Sequence, residues 1–96
     1  MINLQEKNKI ISFLKPYEPS KIALFGSRVR GDNRDDSDLD ILVDFKIAMG
    51  LIQFCEIEQN LSEQLGIKVD LVSEEAIQNK LLRQYIDKDL IVIYND

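Results

Sequence analysis

Four short apolar runs, Lys21–Phe25 (KIALF), Asp38–Phe45 (DLDILVDF), Ile67–Val72 (IKVDLV) and Leu90–Tyr94 (LIVIY), are separated by longer segments whose apolar residues recur at helical spacing. Runs this short, rich in β-branched residues and flanked by turn formers, read as strands. A chain that alternates such strands with helices must stack the helices on a sheet. The expectation is an α/β (α+β) fold, a small mixed sheet of about four strands covered by helices. With 45% apolar content, 96 residues can build one modest core, so residues 1–96 read as a single domain.

Between Asn3 and Leu14, Leu4, Ile10, Ile11 and Leu14 fall on roughly one helical face, and Pro16 stops the pattern. From Met49 to Leu65, Leu51, Ile52, Phe54, Cys55, Ile57, Leu61 and Leu65 keep helical spacing, and Gly66 suits the C-terminal cap. Cys55, on that apolar side, is expected to be buried. Ser73 is placed to cap a further helix reaching about Asp87, with Glu74 and Glu75 in a first turn that favours acids. The segment Arg28–Ser37 (RVRGDNRDDS) is polar and reads as a loop, with turns at Gly31 and Asn33.

Several chemistries are excluded. There is no His and only one Cys, which removes Ser-His triads, Cys-His pairs, zinc fingers and any disulfide within the chain. Twelve Lys and Arg against seventeen Asp and Glu give a net charge of −5, so no direct nucleic-acid binding through a broad cationic face is expected. No apolar run approaches the roughly 20 residues that a membrane span needs, and a cytoplasmic protein is expected.

What remains is a set of carboxylates. Asp38 and Asp40 are separated by one residue on an expected strand, so both project from the same face with Cα atoms roughly 7 Å apart. Leu39 points into the core. Two carboxylates this close repel unless a cation lies between them, and oxygen donors suit a hard ion such as Mg²⁺. Asp70 sits in the middle of an apolar strand, where an unpaired carboxylate would suffer desolvation. If the third strand lies beside the second, Asp70 joins Asp38 and Asp40 in a cage able to hold two divalent ions, an arrangement suited to phosphoryl or nucleotidyl transfer. Gly26 lets the backbone approach a phosphate, and Ser27 offers a hydroxyl and free N–H groups at a helix start. Arg28, Arg30 and Arg34 add positive charge nearby, where a polyphosphate would need it.

The order Gly26-Ser27, ten residues, Asp38-Leu39-Asp40, then Asp70 resembles the nucleotidyltransferase superfamily of DNA polymerase β. The run GSRVRGDNRDDSDLDILVDF is similar to the minimal nucleotidyltransferases, and the similarity extends through GIKVDLV to the terminal LIVIY. The resemblance implies that Asp38 and Asp40 ligate both metals, that Asp70 binds one metal and helps activate the acceptor hydroxyl, and that Gly26 and Ser27 hold the triphosphate. It implies a Mg²⁺-dependent transfer of AMP from ATP to a tyrosine of a HEPN-domain toxin, with the chain as antitoxin. Larger relatives carry an additional domain that grips the acceptor, so here the acceptor is expected to arrive on a partner.

Taken singly, these features are weak. Gly-Ser is common at strand ends. An Asp-x-Asp is often merely solvated, and the three arginines could simply balance Asp32, Asp35 and Asp36. Tyr17, Tyr85 and Tyr94 more often pack than function. The conjunction at this spacing carries the reading. The alternatives are a non-enzymatic antitoxin that neutralises its partner by direct binding, and a nucleotide-binding subunit of a two-protein transferase acting on a small molecule.

Overall fold

In the computed structural model, residues 2–96 are described. Helix α1 (Leu4–Leu14) starts in a reciprocal cap: the Asn3 side chain accepts from the Glu6 N–H at 2.8 Å while Glu6 accepts from the Asn3 N–H. Pro16 ends it in a 3-10 turn, Lys15–Tyr17. The remaining elements are β1 (Pro19–Phe25), α2 (Ser27–Arg30), β2 (Leu39–Phe45), α3 (Leu51–Leu65), β3 (Val69–Ser73), α4 (Lys80–Asp89) and β4 (Ile91–Asn95). No helix among the described residues is long and apolar enough to cross a membrane.

The sheet order is β3-β2-β1-β4. β1 pairs antiparallel with β2 and β4, whereas β2 and β3 run parallel, with α3 as the crossover that a parallel pair requires. Alternation along the strands then separates two faces. On one, Ile22, Leu24, Leu39, Ile41, Val43, Val69 and Leu71 pack against Ile10 and Leu14 of α1 and Ile57 and Leu61 of α3. On the other, Ala23, Phe25 and Leu42 pack against Ile86 of α4. The four-stranded mixed sheet under helices agrees with the expected fold class.

Local expectations need correction, beginning with the segment Arg28–Ser37, whose first three residues lie in α2 and not in a loop. β1 begins earlier than expected, at Pro19, since a proline is tolerated as the first residue of a strand. β2 begins at Leu39, leaving Asp38 one residue outside it. The helix expected to follow Ser73 is only a 3-10 turn, Glu74–Ala76; the true helix begins six residues later. Ser73 makes no capping bond, whereas Asn79 accepts from the N–H groups of Leu81 (2.8 Å) and Leu82 (3.2 Å). Glu74 instead bridges Lys21 (2.7 Å) and Arg83 (3.0 Å). Finally, Cys55 is exposed. The stripe of α3 that reaches the core is narrow, burying Ile57 and Leu61 with Phe54 and Leu65 at its sides, and Cys55, Leu51 and Ile52 lie off it.

α3 also seals the outer edge of β3. The N–H of Val69 donates to Ser62 Oγ at 2.9 Å and that of Leu71 to Glu58 Oε2 at 2.8 Å, so edge donors that could recruit another strand are taken up.

Candidate active site

Parallel pairing sets Asp40 of β2 directly opposite Asp70 of β3, and antiparallel pairing sets Phe25 of β1 on the other side of Asp40. Asp38, two residues before Asp40, shares its face by alternation. This is the face that α4 covers, but its apolar contacts there end at Ala23, Phe25, Leu42 and Val72. The acidic end stays open: Asp70 is exposed and Asp38 and Asp40 are only partly covered.

Asp70 therefore departs from expectation. β3 starts at Val69, so Asp70 lies near the beginning of the strand and not in its buried middle. Desolvation supplies no reason for it to need a partner. Its relevance rests on register alone. Nor is the expected cage closed: among the described residues no three His, Cys, Asp or Glu side chains gather closely enough to hold a metal ion as they stand. Asp38 instead has Lys68 Nζ 3.9 Å away. The backbone brings the three acids to one end of one face, and an ion there would have to draw rotatable carboxylates inward.

Asp40 is the electrostatic centre of the group. Burial, then the negative charges of Asp70 and Asp38, push its pKa up to about 6, against a smaller opposing pull from Arg30. A carboxylate held in its charged form against two others is a position where a divalent cation relieves repulsion, and the donors are all hard oxygens. These residues fit Mg²⁺ by chemistry.

Beside Asp40 the chain bends. Gly26 is buried, with φ +86° and ψ −164°, a region open only to glycine. A Cβ at Gly26 would overlap Oδ2 of Asp40. Glycine is thus needed for the carboxylate to reach its place, a requirement separate from the close approach of a phosphate. Ser27 opens the single turn of α2, whose first N–H groups lack intrahelical acceptors.

The arginines are engaged. Arg28 Nε and Nη2 donate to the carbonyl oxygen of Ser37 at 2.9 and 2.7 Å, closing the loop immediately before Asp38. This guanidinium secures the loop through Nε and Nη2. Arg30 donates to Asp89 at 2.7 Å and Asp32 at 3.1 Å, and these bonds, with Tyr85, raise its pKa above the ordinary value. Arg34 makes no ion pair among the described residues; its backbone N–H donates to Ser37 Oγ at 2.8 Å. Tyr17 packs near Phe13 and Tyr94 against the core, whereas Tyr85 is 52% exposed beside Arg30.

Asp89 was not singled out from sequence. A carboxylate in the last turn of a helix opposes the helix dipole, and that was the available signal. An apolar cavity of about 410 Å³ lies at the opposite ends of β2 and β3, near Phe45 and Ser73, and includes none of the acids above.

Comparison with known proteins identifies relatives of this fold. The profile of the "Polymerase beta, Nucleotidyltransferase" family matches residues 8–96. Protein adenylyltransferase MntA of Thermococcus cleftensis is 36% identical over 88 residues, covering 86% of this chain and 89% of its own. A toxin–antitoxin crystal structure with AMP-PNP superposes with a TM-score of 0.83 at 29% identity, covering 94% of this chain and 73% of the other. A tri-AMPylated Shewanella oneidensis HEPN toxin in complex with its MNT antitoxin gives a TM-score of 0.77 at 26% identity, covering 96% and 71%.

Proposed function

The chain belongs to the polymerase β nucleotidyltransferase family, and on that premise we propose that it is a protein adenylyltransferase that transfers AMP from ATP to a tyrosine hydroxyl of a HEPN-domain toxin, and thereby acts as the antitoxin. The observation that carries this reading is the alignment of Asp40 with Asp70, with Asp38 on the same face, at the end of the sheet where Gly26 turns the chain. The MntA relative and the HEPN toxin complexes support the acceptor class. An ATP donor and a lone free thiol suit the cytoplasm.

In the reaction, the acceptor hydroxyl oxygen forms a bond to the α-phosphorus of ATP, the bond from that phosphorus to the bridging oxygen breaks, and pyrophosphate leaves. Asp38, Asp40 and Asp70 would hold Mg²⁺, two ions by the family's pattern, which neutralises charge on the transferred and leaving groups. Asp70, the most exposed of the three, accepts the proton of the incoming hydroxyl. Gly26 and Ser27 hold the triphosphate along the bend. Asp40 keeps its place against the missing Gly26 side chain and is charged at neutral pH, since its pKa of about 6 lies below 7. Arg28 fixes the backbone just before Asp38, so the acid does not drift with the loop.

The test is direct. The chain is incubated with labelled ATP, Mg²⁺ and the product of its neighbouring gene, tested for a HEPN domain. Label should reach the partner, and Asp38→Ala together with Asp40→Ala should abolish it. Labelling that survives both substitutions removes the proposed chemistry.

A further inference from the structure

Arg30 and Asp89 lie 59 residues apart in sequence and 2.7 Å apart in space. We propose that Asp89, the last residue of α4, is a positioning residue that holds the Arg30 guanidinium for the β- and γ-phosphates of the nucleotide. The inference rests on the nucleotidyltransferase reading above and names a residue that reading does not use.

Three observations carry it. First, the pair is unlike the other contact of Arg30. Asp89's side chain is 12% exposed, whereas Asp32, bound to Nε, is 62% exposed and is a replaceable surface partner. A largely covered acid at the C-terminal end of a helix is disfavoured by both desolvation and the helix dipole, and Arg30 offsets this.

Second, α2 is a single turn, too short to orient a long side chain by itself. An arginine loses substantial rotamer freedom when fixed, and Asp89 and Asp32 fix this one by Nη1 and Nε in advance of any ligand. Nη2 is left without a carboxylate partner and lies beside the half-exposed Tyr85, so its N–H groups can turn to a phosphate oxygen.

Third, the held cation lies within electrostatic reach of Asp40 and follows the Gly26–Ser27 bend by one turn. A charge placed there follows directly on the residues proposed to hold the triphosphate. Its role is in binding and leaving-group stabilisation, not in receiving the hydroxyl proton.

Calorimetry on the full chain, with Mg²⁺-ATP and AMP as separate probes, tests the proposal. Asp89→Asn is expected to weaken ATP binding about tenfold while changing AMP binding less than about twofold, and Asp89→Glu should restore most of the loss. Adding Asp89→Asn to Arg30→Gln should cost no further affinity, because Asp89 acts through Arg30. Should Asp89→Asn fail to fold, Arg30→Lys, which keeps the charge but cannot bond Asp89 and a phosphate through separate nitrogens, is expected to show the same ATP-selective loss. Unchanged ATP affinity, or equal losses for ATP and AMP, in the folded variants overturns the role of Asp89. Absence of ATP binding in the unsubstituted chain overturns the nucleotide reading itself, and this inference with it.

Discussion

The Asp40 carboxylate fills the space that a side chain on Gly26 would need. The bend and the acid are therefore one structural unit, with the φ of +86° at Gly26 adding a second constraint. Gly26→Ala should destabilise the protein by about 2–3 kcal/mol, combining backbone strain with displacement of a packed group. It should also abolish AMP transfer. Urea unfolding and the labelling assay measure the two effects, and an alanine variant of full stability and activity would contradict the geometry.

Asp40 also makes stability depend on pH. Its pKa in the folded chain is raised from 3.8 to about 6, so between those values the folded state holds the proton more tightly than the unfolded state. Stability contributed by this group is present below about pH 4 and is lost as pH rises through 6. Because the carboxylate is partly solvated, the loss is on the order of 1 kcal/mol. Asp40→Asn should remove that slope and be more stable than the parent at pH 7.5, while transferring no AMP. Denaturant midpoints of both proteins from pH 4 to 8 provide the check.

Mg²⁺ should act on the same repulsion. Added with ATP at neutral pH, it should raise the thermal midpoint of the parent chain and leave that of Asp40→Asn nearly unmoved, since a ligand stabilises only through the state that binds it. Differential scanning fluorimetry with and without chelator reads this. Equal shifts in the two proteins would place the ion elsewhere.

Arg28 bonds to the carbonyl just ahead of Asp38 through two nitrogens, a geometry that lysine cannot copy. Arg28→Lys should cut the transfer rate at least about tenfold by loosening the metal-side acid, with ATP affinity less affected. Hydrogen exchange over residues 31–38 should accelerate in parallel. Slow exchange together with slow transfer would instead point to a direct phosphate contact.

How much of this was legible beforehand differs from residue to residue. Strand alternation placed Asp38 and Asp40 together and put Leu39 in the core, because period two is a local property. The pairing of Asp40 with Asp70 depended on β3 lying beside β2, which a parallel crossover through α3 favours but spacing alone does not dictate. Cys55 was misplaced because helical spacing reports a face, while the width of the buried stripe is set by what packs against it. The start of α4 was missed for a different reason: Ser73 and Asn79 are both competent caps, and the bridges of Glu74 to Lys21 and Arg83 are tertiary contacts invisible to local rules. Arg30 read as a phosphate ligand from charge alone, and only the fold shows the distant carboxylate that steadies it.

Because α4 shields the apolar half of its face and stops short of the acids, the reacting groups rest on a floor without a roof. Water can reach a nucleotide lying there, and among the described residues nothing squeezes a hydroxyl toward the phosphorus. Under the proposed reaction, a docked acceptor supplies that enclosure. An enzyme of this shape would idle until its target docks, so that the target's own arrival completes the chamber in which it is modified.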